Sequence, residues 1–243
     1  DAIETPFVKT DKILGGAATY IGLSAANFGI QSGIASVVGG DFPEEYLKML
    51  NAKQVDTQGV EIVKDGKTFF WSGKYHNDMN SRDTLVTELN VLEQFNPKVP
   101  QDFKDAGIVL LGNLHPLVQN AVLEQLEVTP KLVGLDTMNF WMDIALPELK
   151  EVIQKVDVIT INDEEARQLS GEYSLRVAAR KIQAMGPKYV VIKKGEHGAL
   201  LFGEDQIFFA PALPLEEVFD PTGAGDTFAG GFAGYLTKTK DIS

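Results

Sequence analysis

The stretch Val156–Gly171, "VDVITINDEEARQLSG", changes its period halfway along. Val156–Asn162 is a nearly continuous β-rich apolar run, and Asp163–Gly171 is a polar segment of helical spacing that closes on a glycine. An apolar strand feeding directly into a helix reads as one strand of a parallel sheet, buried on both faces and covered by the helix that follows. The alternation continues on both sides. Upstream, "IVLLG" (108–112) reads as a buried strand, and "PLVQNAVLEQL" (116–126) as a helix with Leu117, Val118, Ala121, Val122 and Leu126 on one face. "KLVGLD" (131–136) is a strand and "LPELKEVIQKV" (146–156) a helix. Downstream, "SLRVAARKIQAMG" (174–186) is a helix ending at Gly186, and "YVVIKKG" (189–195) is a strand. The pattern predicts an α/β fold, with a mostly parallel central sheet between layers of helices.

One region departs from this rhythm. "GVEIVKDGKTFFWSGKYH" (59–76) has β-type runs on both sides of Asp65-Gly66, a hairpin-turn signal. It predicts an antiparallel excursion, either a small lid on the main sheet or an edge hairpin.

Composition narrows the function classes. The chain has 243 residues, 44% hydrophobic, enough for a sizeable core. Its formal net charge of -12 argues against a general nucleic-acid binder, though not against a nucleotide ligand. There is no cysteine, which excludes disulfides and thiol catalysis and fits a reducing cytoplasm. No apolar run reaches the length needed to span a bilayer, so no membrane partner is expected.

Some motifs mislead. Gly66-Lys67-Thr68 resembles the end of a P-loop, but Glu61 stands where that loop needs a glycine. Gly223-Ala224-Gly225 could open a dinucleotide fingerprint, but Phe228 replaces the third glycine. His76, His115 and His197 lack zinc spacing and read as structural or surface residues.

The chemistry concentrates in "DPTGAGDTFAGGF", from Asp220 to Phe232. After Asp226, Phe228, Phe232, Tyr235 and Leu236 fall on one helical face, while Ala229, Gly230, Gly231, Ala233 and Gly234 are small. So many glycines in a helix imply tight packing against a sheet or a ligand. The amides of Gly223, Ala224 and Gly225 at the helix start can form an anion site. Asp226 is then either a helix cap or a general base beside that site.

"DPTGAGDTFAGGFA" closely resembles the second signature of the PfkB (ribokinase-like) carbohydrate kinases, and "GGAATYIGLSAANFG" near the start resembles the first. The resemblance implies one ribokinase-like kinase domain over 1–243: a three-layer α/β/α sandwich with a β-lid roughly over 59–85, with residues near 10 as a second contributor. It implies transfer of the γ-phosphoryl group of ATP, with Mg2+, to a hydroxyl of a sugar or sugar-like substrate. A nucleoside (adenosine-type) kinase and a catalytically silent binding protein of the same fold are the alternatives. Asp226 would be the base, and Gly223, Ala224 and Gly225 the anion hole. Asp220 and Thr222 would border a monovalent-cation site for K+. Asn162 and Glu165 would act on the magnesium side, often through water, and Lys193, Gly195 and Gly198 would lie beside the nucleotide.

From the residues alone, Asn162 and Glu165 are a capping box, and Gly195–Gly198 a hairpin turn. Read alone, Asp1 is a terminal residue and Gly15-Gly16 a strand-to-helix turn; the resemblance implies that Asp1, Gly15 and Gly16 bind substrate. Tyr20 stands where the family usually has Asn in the sugar site. Asn113 and Asn139 follow predicted strands, where ligands of open α/β sheets bind. Phe70 and Trp71 could cover a sugar ring or pack against a second lid in a homodimer. The family carries a strand before the position of Asp1 and helices beyond that of Ser243, so both termini are expected to be incomplete.

Overall fold

The computed structural model describes residues 1–240, which form two compact units. One comprises Asp1–Phe103 and the segment from Leu215 onward, and the other is Lys104–Pro214.

The first unit begins with β1 (Ala2–Glu4), α1 (Ala17–Ala26), β2 (Ser32–Gly39), α2 (Glu44–Ala52) and β3 (Val55–Val63). β2 and β3 pair in parallel, from Ser32↔Val55 to Gly39↔Val63, with α2 as the crossover. Ile34, Leu50 and Val55 form a small buried cluster beneath them. β4 (Phe70–Tyr75) and β5 (Arg82–Glu88) follow. β4 pairs in parallel with β1 and antiparallel with β5, giving a three-stranded sheet in the order β1-β4-β5.

This corrects the hairpin reading at Asp65-Gly66. A turn does form there, with the Gly66 amide on the Val63 carbonyl at 2.9 Å. β3 and β4 nevertheless belong to different sheets, and the antiparallel partner of β4 is β5. The cause lies beyond the turn. The Asp41 carboxylate accepts from the Thr68 amide and hydroxyl, both at 2.7 Å, and Thr68 Oγ1 accepts from the Gly39 amide at 3.0 Å. These bonds hold the chain beside the end of β2 and turn it away from β3.

The second unit carries the predicted alternation. β6 (Ile108–Leu111), α3 (Pro116–Leu123), β7 (Leu132–Asp136), α4 (Asn139–Ile144), α5 (Leu146–Ile153), β8 (Val158–Asn162), α6 (Asp163–Ser170), α7 (Leu175–Gln183), β9 (Tyr189–Lys193), β10 (Ala199–Phe202) and β11 (Ile207–Ala210) build a six-stranded sheet in the order β11-β10-β9-β8-β7-β6. β6 to β9 are parallel, while β10 and β11 are antiparallel. Every residue of β7 is buried, as a strand covered on both faces requires. Leu149, Val152 and Ile153 of α5, at i, i+3 and i+4, meet Leu135, Ile159 and Ile161 in one core. Burial of each such side chain stabilises the fold by about 1.5–3 kcal/mol. α6 ends where predicted, with Gly171 left-handed at φ 70°.

The chain then returns to the first unit as α8 (Ala224–Thr239). Its cap is Gly223, left-handed at φ 72°, so Asp226 is the third residue of the first turn rather than the cap. The glycines inside α8 answer to a helix rather than to a sheet. They face α1: a Cβ on Gly230 would lie 2.3 Å from the Ile21 carbonyl oxygen, and one on Gly234 2.8 Å from the Phe28 ring. Ser24 Oγ donates to the Thr227 carbonyl at 2.7 Å and ties the two helices together. Among the described residues no helix is long and apolar enough to cross a membrane.

Candidate active site

In the first unit, residues from both ends of the sequence meet at the start of α8. Gly16 caps α1 at φ 91° with open space around its Cα, so its conformation, not crowding, calls for glycine. Gly15 is crowded instead: a Cβ there would lie 1.9 Å from Asp1 Oδ2, so the Asp1 carboxylate rests against this backbone. One turn into α1, the Tyr20 ring lies against Gly223, where a Cβ would come within 2.5 Å of it. Burial pushes the Tyr20 phenol above its ordinary value, and Asp220, Asp226 and Tyr75 push in the same direction. Asp1, Gly15, Gly16, Tyr20 and the loop Asp220–Asp226 are thus all carried by the unit that holds the proposed base.

The loop is held by its own bonds. Asp220 Oδ1 accepts from the Thr222 amide at 2.9 Å, and the Thr222 hydroxyl donates to the Tyr75 phenol at 3.2 Å. The Ala224 amide donates to the Pro221 carbonyl at 3.1 Å. Of the three expected anion-hole amides, those of Gly223 and Gly225 therefore have no acceptor among the described residues. They sit at the N-terminus of a four-turn helix, where donors and dipole favour an anion.

In the second unit, polar residues gather where the parallel strands end. Strand register aligns Asp136 with Thr160 and Asn162 with Lys193. Side chains alternate along a strand, so Asp136, Thr160, Asn162 and Lys193 share one face. Lys193 Nζ lies 3.3 Å from Asp136 Oδ1, with both side chains largely buried. Burial pushes the Asp136 carboxyl up, and Lys193 pulls it back. Thr137 Oγ1, beside this pair, is buried without a hydrogen-bond partner among the described residues. Neither Asp136 nor Tyr75 stood out in the sequence. Asp136 ends the "KLVGLD" run, the one signal that could have marked it, and Tyr75 has none.

Asn162 and Glu165 form the capping box. The Glu165 amide donates to Asn162 Oδ1 at 2.8 Å, and Glu165 Oε2 accepts from the Asn162 amide at 2.7 Å. Gly195–Gly198 turns β9 into β10. Gly198, at φ 85°, is required by backbone packing, since a Cβ would lie 2.0 Å from the Ala210 carbonyl oxygen. Asn113 Oδ1 accepts from Trp141 Nε1 at 2.9 Å, and Asn139 pairs with Gln168. Among the described residues, no three acidic or histidine side chains cluster as a metal cage. The oxygen donors Asn162 and Glu165 fit an ion such as Mg2+, which keeps several of its waters.

Comparisons with known proteins bear on the fold and the family. A cytidine kinase of Thermococcus kodakarensis is 36% identical over 228 residues, covering 91% of this chain and 80% of its own length. A nucleoside kinase of Burkholderia thailandensis, solved in complex with inosine, superposes with a TM-score of 0.80 at 21% identity, covering 99% of this chain and 82% of its own. An E. coli protein solved with ATP and Mg2+ gives a TM-score of 0.80 at 22% identity, covering 98% and 80%. The fold is therefore ribokinase-like. The profile of the pfkB family carbohydrate kinases matches residues 8–243. On that match, and on the cytidine kinase relative, the chain belongs to the pfkB family of carbohydrate kinases and is a phosphotransferase.

Proposed function

We propose that the protein is an ATP-dependent nucleoside kinase that phosphorylates a hydroxyl of the nucleoside sugar. The observation that carries this reading is the 36% identity to a cytidine kinase along 91% of the chain. The sequence placed a sugar first and a nucleoside second; this relative supports the nucleoside. A free sugar is the second reading, supported by the family's description.

The acceptor hydroxyl loses its proton to the Asp226 carboxylate as its oxygen attacks the γ-phosphorus of ATP. An O–P bond forms, the bond to the β–γ bridging oxygen breaks, and ADP leaves with the electron pair. The Gly223 and Gly225 amides hold the charge spread over the transferred group. The Ala224 amide joins them only if its bond to Pro221 opens. Asp1, Gly15, Gly16 and Tyr20 hold the acceptor, with Asn113 a further contact. Lys193, Gly195 and Gly198 hold the nucleotide, and Asn162 and Glu165 would hold Mg2+ through water. When bound, Mg2+ neutralises phosphate charge. Asp220 and Thr222 would border a monovalent cation such as K+.

The test is ADP release from Mg-ATP across nucleosides, pentoses, hexoses and sugar phosphates, with Asp226→Asn as control. Cytidine or another nucleoside should be turned over, and the variant should lose a factor of about 10² or more. Turnover confined to free sugars would replace the nucleoside reading, and unchanged turnover in Asp226→Asn would remove Asp226 as the base.

A further inference from the structure

Two side chains outside the signature motifs converge on the loop that carries Asp226. Tyr75 is the last residue of β4 and is only 7% exposed, although it adjoins a mostly exposed edge strand. Its phenol oxygen meets Thr222 Oγ1 at 3.2 Å, 147 residues away in sequence. β4 is also the strand that pairs with β1, through Ala2↔Ser72, Ile3↔Gly73 and Glu4↔Lys74. β1 starts directly after Asp1. A second contact runs the same way: the ring of Phe7, just past β1, meets that of Phe219, just before Asp220, edge to face at 6.0 Å.

The other anchors near the loop lead elsewhere. Tyr20 against Gly223, Ser24 on Thr227 and Ile21 against Gly230 all belong to α1. The start of α8 is thus held from one side by α1 and from the other by the sheet that follows Asp1.

We propose that Tyr75 is a positioning residue that ties the Asp220–Asp226 loop to the β1-β4-β5 sheet, so that the acceptor side, at Asp1, and the base, Asp226, keep a fixed register. The inference rests on the kinase reading. A hydroxyl–hydroxyl bond is weak, but it acts where a displacement of about 1 Å can cost about 10²-fold in rate. Its loss should therefore register in kcat more than in stability.

The experiment compares wild type, Tyr75→Phe, Thr222→Val and the double variant, with Tyr173→Phe as control on an exposed residue. ADP release is measured with Mg-ATP and cytidine, and hydrogen exchange is followed in the peptide spanning 219–228. Tyr75→Phe should lower kcat about tenfold, change either KM less than threefold, and speed exchange in that peptide. The double variant should be no worse than the poorer single one, because both substitutions delete the same bond. A kcat within twofold of wild type, or additive effects in the double variant, overturns the proposal. A purely structural Tyr75 would lower the melting temperature and leave kcat unchanged. If the wild type turns over neither cytidine nor any other nucleoside or sugar of the wider panel, the kinase reading falls. Exchange then decides alone: faster in Tyr75→Phe supports the tether, and unchanged removes it.

Discussion

Gly230→Ala is the sharpest test of the packing that carries the Asp220–Asp226 loop. A Cβ there would lie 2.3 Å from the Ile21 carbonyl oxygen, and 2.8 and 2.9 Å from Ile21 Cα and C. These are backbone atoms of α1 and cannot rotate away. Ordinary contact needs about 3.5 Å, so α8 must retreat from α1 by about 1 Å. Overpacking of this kind costs about 1–3 kcal/mol, and a rigid obstacle argues for the upper end. The retreat also stretches the 2.7 Å bond from Ser24 to Thr227, which contributes about 1 kcal/mol. Against this, replacing Gly by Ala within a helix returns about 1 kcal/mol. The net is a destabilisation of about 3 kcal/mol, and for a chain of this size a melting temperature about 6–12 °C lower. Gly231→Ala is the matched control. Its Cβ would meet only Ser24 Oγ at 3.3 Å and Phe28 Cε2 at 3.9 Å, both on side chains. It should lie within about 0.5 kcal/mol of wild type, or above it by the propensity gain. Differential scanning calorimetry of both variants decides. Gly230→Ala as stable as wild type, or Gly231→Ala equally damaging, would refute the close approach of α8 to α1.

Two further outcomes follow from ion pairs. Asp136→Asn leaves the Lys193 ammonium buried without its partner and should cost about 3–5 kcal/mol in urea unfolding, whereas Asp136→Leu with Lys193→Met should restore most of the loss; a loss under about 1 kcal/mol in the single variant would contradict it. Bonds from Lys74 first, then Lys9, hold the Glu4 carboxyl at about 2. This pairing therefore stabilises the fold above the ordinary carboxylate value of about 4.3 and is lost as pH falls through about 2. An NMR titration placing Glu4 near about 4.3 in the wild type, or unmoved by Lys74→Met, would refute it.

Local signals determined much of this protein. The switch from apolar strand to amphipathic helix within Val156–Gly171, and its repeats, contained the parallel sheet β6 to β9, because strand and helix periods are properties of neighbouring residues. The capping box of Asn162 and Glu165 and the closing Gly171 were legible for the same reason. The stretch from Asp220 to Asp226 stood out too, as a contiguous family signature. Tertiary structure alone decided the rest. Asp65-Gly66 makes its turn, but pairing is chosen by distant partners: Asp41 claims Thr68, and β4 finds β1 and β5. The glycines of α8 signalled close packing, yet only the fold names α1 as what they pack against. Ala224 spends its amide on Pro221, a matter of loop geometry. Tyr75 reaches Thr222 across 147 residues, and Asp136 reaches Lys193 across an intervening strand. No window of sequence holds both partners of such a contact, because the sheet, not the chain, makes them neighbours.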